Sequence, residues 1–169
     1  MRLHFVALAA AALIAAGQPA SAEAITGRVV GVADGDTLTV LTAEKRQVRV
    51  RLAGIDAPER RQPYGTRARQ ALSALAFGRS ARVEVEDIDR YERAVGRVRV
   101  GGRDVNAEMV RRGAAWVYAR YNRDPSLVPL EAEARAARRG LWALPESERV
   151  PPWEWRAAWR AERERGRAQ

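Results

Sequence analysis

The chain has 169 residues, a formal net charge of +9 and no cysteine. That composition excludes a disulfide framework, a lipoprotein anchor, a thiol nucleophile and a thiolate zinc centre. The charge rests on arginine, since Lys45 is the only lysine, and it favours a polyanionic partner such as nucleic acid or a cell surface.

Residues 1–22 read as a secretory signal. Arg2 precedes the apolar run "FVALAAAALIAA", and "GQPASA" closes on small residues at Ala20 and Ala22. The run falls short of the ~20 apolar residues of a membrane anchor. Cleavage is expected after Ala22, which makes the mature protein secreted or periplasmic, without a membrane partner, and leaves +8 on its side chains because Arg2 is the only charged residue removed. The only histidine, His4, lies within this segment, so a histidine-based triad or zinc site has no ligand in the mature chain. What remains suits one domain with a single core, expected over residues 23–145 and as a monomer.

Two β-rich stretches come first, "ITGRVVGVA" and "TLTVLT", separated by the tight-turn signal "DGD". In "RQVRVRLAGI", Val48, Val50 and Leu52 alternate with Arg49 and Arg51, as a half-buried strand requires. "TRARQALSALAF" places Ala68, Ala71, Leu72, Leu75 and Ala76 at helical spacing, with Gly78 beyond its end. "ARVEVED" and "AVGRVRV" are two further strands, followed by a "GGR" turn. "DVNAEMVRRG" is a short helix capped by Asp104 and stopped at Gly113, and "PLEAEARAARRG" is another, with Pro129 near its start. Three strands, a helix, two strands and two helices describe a five-stranded oligonucleotide-binding (OB-fold) barrel with about three helices; an α+β sandwich has the same element order. Residues 146–169 form a Trp- and Arg-rich tail. After Pro151 and Pro152, Trp153, Trp155 and Trp159 interleave with Arg156 and Arg160; packing of Trp153 and Trp155 against the barrel is favoured over a grip on nucleic acid, and the last nine residues are expected to fray.

The chemistry gathers in "VADGDTLTV" and "RLAGIDAPERR", two carboxylate-bearing turns in an arginine-rich chain. Asp36 opens strand two and Asp56 follows strand three, so a meander can bring them together. Their oxygens, with the carbonyl of Ala57 and the carboxylate of Glu59, suit a hard cation such as calcium, which takes oxygen ligands at ~2.3–2.6 Å. Pro58 restricts the backbone between Ala57 and Glu59. Asp34 reads as a turn-former. A carboxylate-bound metal beside Arg51 is what phosphodiester hydrolysis needs: Lewis acid, phosphate clamp and a carboxylate for the attacking water. The other reading, solvated turns beside a solvated strand face, stays open on these residues alone. Tyr91 and Tyr118 are candidates to stack on a base or ribose, with rim or core packing as the alternative; Trp142 is expected in the core.

"VADGDT", "VRLAGIDAPE", "YGTRARQAL", "DRYERAVGRV", "GRDVNAEMVRRGAAWVY" and "AEARAARRGLW" occur in the same order as in the staphylococcal nuclease-like, or thermonuclease, family, which the chain resembles over residues 25–143. The resemblance implies a secreted calcium-dependent enzyme that hydrolyses DNA and RNA. Asp36, Asp56 and the main-chain oxygen of Ala57 would be calcium ligands. Arg51 would hold the scissile phosphate, Glu59 would act as general base or orient the water, and Arg93 would stabilise the transition state. Three features depart from the family's best-known member. Ala57 replaces a threonine, Glu92 replaces the glycine of "YGR", and the segment after Glu59 is shorter. Arg97, on the face of Arg93 by strand parity, is the fallback for it. A non-catalytic nucleic-acid-binding barrel is the competing function, and a basic surface-binding domain with a structural acidic cluster is a third.

Overall fold

The computed structural model describes residues 24–167; the expected signal segment lies outside them. Five long strands, β1 (Ala24–Val32), β2 (Thr37–Leu41), β3 (Gln47–Leu52), β5 (Ser80–Ile88) and β6 (Ala94–Val100), carry the fold. Alternation decides which face of each is buried. In β3, Val50 and Leu52 point inward, and in β6 so do Ala94, Val98 and Val100. β1 pairs antiparallel with both β2 and β5, and a register shift between Val29 and Gly31 lets it serve two partners. β5 pairs with β6, and β6 returns parallel to β3 through Val50–Ala94, Arg51–Val95 and Leu52–Gly96. That pairing closes a five-stranded barrel and excludes the sandwich.

Short strands and helices finish the wall. β4 (Ile55–Asp56) pairs with β8 (Trp116–Val117), and β7 (Arg103–Asp104) extends β6. Helix α1 (Gly65–Ala76) buries Ala68, Leu72, Leu75 and Ala76; the spacing predicts the same face, although Ala71 is only half-buried. Helix α2 (Val105–Arg111) is capped by the Asp104 carboxylate, which accepts from the Ala107 amide at 2.9 Å. Buried Asn106 fixes α2 to the barrel by donating to the carbonyls of Ala53 and Gly96 while accepting from the Val98 amide. Helix α3 (Leu127–Ala136) follows, and its Glu131 accepts from the Val117 amide.

A fourth helix, α4 (Pro152–Arg167), corrects the count of about three and, within the described residues, makes 161–167 of the stretch expected to fray helical. Its first turn docks on the domain. Trp153 lies edge-on to Trp116, which itself meets buried Trp142 edge-on, and stacks at 4° and 5.0 Å on Tyr118. Trp155 is half-buried and joins neither apolar cluster; from Ala157 onward α4 is exposed. Among the described residues no helix is long and apolar enough to cross a membrane.

Candidate active site

The β1–β2 turn, the β3–β4 loop and the β5–β6 turn open onto one cleft of about 770 Å³, whose wall also includes Arg156 and Arg160 of α4. The first turn is built locally. Asp34 Oδ1 accepts from the Asp36 amide at 3.1 Å, which makes Asp34 the turn-former the sequence implies. Burial, reinforced by repulsion from Asp36, raises the Asp34 carboxyl to about 6.

Asp36 itself is buried and organises its neighbours. Its Oδ1 accepts from the Thr37 hydroxyl at 2.9 Å and from Arg51 Nη1 at 2.9 Å; its Oδ2 accepts from the Ala57 amide at 3.0 Å. The two acidic turns are thus tied to each other by a side chain-to-backbone bond. Close packing makes this possible: a Cβ on Gly35 would lie 2.6 Å from that of Ala57 and 2.8 Å from that of Ala68. Asp56 is held from the other side by the pairing of β4 with β8 and is fully buried.

Arg51 joins the pair. Its guanidinium donates to Asp36, to Asp56 Oδ1 at 3.2 Å and to the Ile55 carbonyl at 3.3 Å. Burial works to lower its pKa, yet the carboxylates of Asp36 and Asp56 outweigh it and the net shift is upward. Arg51 does stand on the outward face of β3, but the acidic loops cover it, so the solvated-face reading is overturned. Burial also raises Asp56, helped by repulsion from Asp36 and opposed by the arginines it contacts.

Glu59 sits on the turn into α1, where its amide donates to the Gln62 side-chain carbonyl at 3.1 Å and its carbonyl accepts from the Gln62 amide. Arg93 enters from the β5–β6 turn. Asp89 holds it through Nε at 2.7 Å, and its Nη1 lies 3.5 Å from Thr37 Oγ1, the hydroxyl that donates to Asp36. The bonds from Arg93 push Asp89 below the usual carboxylate range in spite of partial burial. Glu92 adopts φ 59°, the backbone conformation glycine favours, and its exposed side chain leaves the pairing of Arg93 to Asp89.

Arg97 does not belong to this site. It pairs with Asp104 and Asp124 and does not line the cleft, four residues of strand carrying it roughly 13 Å from Arg93. The aromatic candidates both line the cleft. Tyr91 is exposed, with the Arg90 and Arg93 guanidiniums near its ring, whereas Tyr118 has one face covered by Trp153.

Two participants went unread in the sequence. Arg156 of α4 clasps Asp56 with both Nη atoms, at 3.1 and 2.6 Å, and reaches Glu59 Oε1 at 2.8 Å. Gln62, buried on the Glu59 turn, donates to the Val150 carbonyl just ahead of α4. The available signal was Pro152, suited to a first helical turn, with Arg156 and Arg160 one turn apart behind it.

Asp36, Asp56, Glu59 and the Ala57 carbonyl are hard oxygen donors, so their chemistry fits a divalent ion such as calcium. Among the described residues, no three acidic side chains stand close enough to form a ready cage, and Arg51 and Arg156 bridge Asp36, Asp56 and Glu59.

The staphylococcal nuclease homologue family matches residues 49–144, which include Arg51, Asp56, Glu59 and Arg93. The chain belongs to that family. It is 47% identical over 161 residues to protein ParB of Escherichia coli, covering 89% of each chain. To the micrococcal nuclease of Shigella flexneri it is 42% identical over 163 residues, covering 90% of this chain and 91% of that one. An uncharacterized endonuclease of Escherichia coli O157:H7 is 48% identical over 133 residues, 78% of this chain and 85% of its own.

Proposed function

We propose that this family member is an exported, calcium-dependent, monomeric nuclease that hydrolyses phosphodiester bonds of DNA and RNA with little base specificity. One observation carries the reading: Arg51 bridges two buried carboxylates at the floor of an arginine-walled cleft, with Glu59 at its edge. Family membership and the names of the relatives, a micrococcal nuclease and an endonuclease, support it.

Asp36, Asp56 and the Ala57 carbonyl would hold calcium, which when bound supplies polarisation of a phosphoryl oxygen. Arg51 has five N–H donors, only part of which its present bonds use, and its fixed position lets it receive the scissile phosphate without reorganising. Glu59, 40% exposed, orients the attacking water and accepts its proton. Arg93, steadied by Asp89, adds positive charge as the five-coordinate phosphorus forms. Tyr91 offers an exposed ring on which any base can stack, which suits a substrate read by its backbone.

Purified protein is expected to degrade plasmid DNA, heat-denatured DNA and RNA with calcium and to stop on chelation. Replacement Glu59→Gln should lower kcat by about 10²–10⁴ with KM little changed. Nucleic-acid binding without calcium-dependent cleavage would make the molecule a non-catalytic binding barrel instead.

A further inference from the structure

Asp36 and Glu59 line the cleft while Asp56 is buried behind it, and Arg51 alone does not balance the three carboxylates. The second cation comes from outside the family-matched segment. Arg156 lies 100 positions from Asp56, and its two Nη atoms take both Asp56 oxygens while Nη1 also reaches Glu59. Asp56 is essentially inaccessible, its side chain being 1% exposed, so its charge is compensated by these guanidiniums rather than by water.

The placement of Arg156 is enforced. Pro152 is buried, Trp153 is stacked on Tyr118, and Gln62 binds the Val150 carbonyl, so the chain entering α4 is held at the Glu59 turn itself. The hold is also narrow, because the helix beyond its first turn is exposed. A side chain on such an element can withdraw without disturbing the barrel.

We infer that Arg156 is a built-in counter-ion of the acidic site: it pairs with Asp56 and Glu59 and must yield their oxygens when a divalent cation is taken up, so that α4 sets the metal affinity. This rests on the reading of the site as a divalent-cation site. A guanidinium and a calcium ion use the same carboxylate lone pairs and do the same electrostatic work; they compete. Arg156 lines the cleft wall together with Arg160, one helical turn on.

Calcium titrated calorimetrically into metal-free wild type, Arg156→Ala and Arg156→Lys tests the exchange. The alanine variant is expected to bind calcium at least tenfold more tightly. The lysine variant, with a charge but no fork, should fall between them. Metal-free Arg156→Ala should melt below metal-free wild type, and saturating calcium should bring the two melting temperatures together. Trp153→Ala, which loosens α4 and leaves Arg156 in the chain, should also tighten calcium binding, and it supplies the reading if Arg156→Ala does not fold. Equal or weaker calcium binding by these variants, with calcium-dependent cleavage intact, would overturn the inference alone. No calcium uptake by any of the proteins would overturn both the inference and the proposed metal-dependent nuclease.

Discussion

The two sides of the cleft hold their arginines in different ways. Arg51 is set on a strand closed into the barrel and gripped by carboxylates from two other segments, both buried. Arg93 is gripped by Asp89 of its own turn, four residues away, and both side chains are half-buried. The first arrangement ties the chemistry to segments from across the domain; the second confines the pairing to a single turn, so altering it should cost the fold less.

The sharpest break of that contrast is Arg51→Ala. It should abolish detectable turnover and also destabilise the domain by about 3–5 kcal/mol in urea titrations, because it strands Asp36 and Asp56 without one of their cations. A loss of activity with stability unchanged would mean that the carboxylates tolerate burial by themselves. Next is Gly65→Ala, on the same side. A Cβ there would stand 1.9 Å from the Glu59 carbonyl oxygen, so the Glu59 turn must move. The expected cost is ~1–3 kcal/mol, with a fall in kcat as the carboxylate shifts.

On the other side, Arg93→Ala should lower kcat by about 10²–10³ while the unfolding free energy changes by less than ~1 kcal/mol. A large destabilisation would erase the distinction between the two arginines. The smallest effect belongs to Glu92→Gly. Relief of a non-glycine residue at φ 59° should favour the fold by about 1 kcal/mol, less the added freedom of the unfolded chain, and cleavage should be retained. Loss of activity there would show that Glu92, and not Asp89, sets the placement of Arg93.

Much of this is written locally. The Asp34–Gly35–Asp36 turn, the alternation of Val48, Val50 and Leu52, the Asp104 cap and the apolar face of α1 depend on neighbours within a few residues, and periodicity or turn chemistry reports them. Arg97 shows where such reasoning stops. Strand parity puts it on the face of Arg93, but parity is silent about distance along the strand, and Asp104 and Asp124 claim it elsewhere. The tail shows the same limit. Trp153 was legible as packing, whereas the partners of Arg156 were not.

By itself the sequence determined which segments become strands and helices, which residue types could serve phosphate chemistry, and that Asp36, Arg51, Asp56 and Glu59 lie near enough in chain order to share a site. Those properties follow from backbone geometry and side-chain chemistry over short spans. Only the tertiary structure decided that β3 closes on β6, that Asp56 is pinned by a strand pair with Trp116, and that Arg156 crosses to Asp56 and Glu59. Ion pairs between distant segments are chosen by which charges the finished fold leaves buried together, and no local pattern encodes that choice.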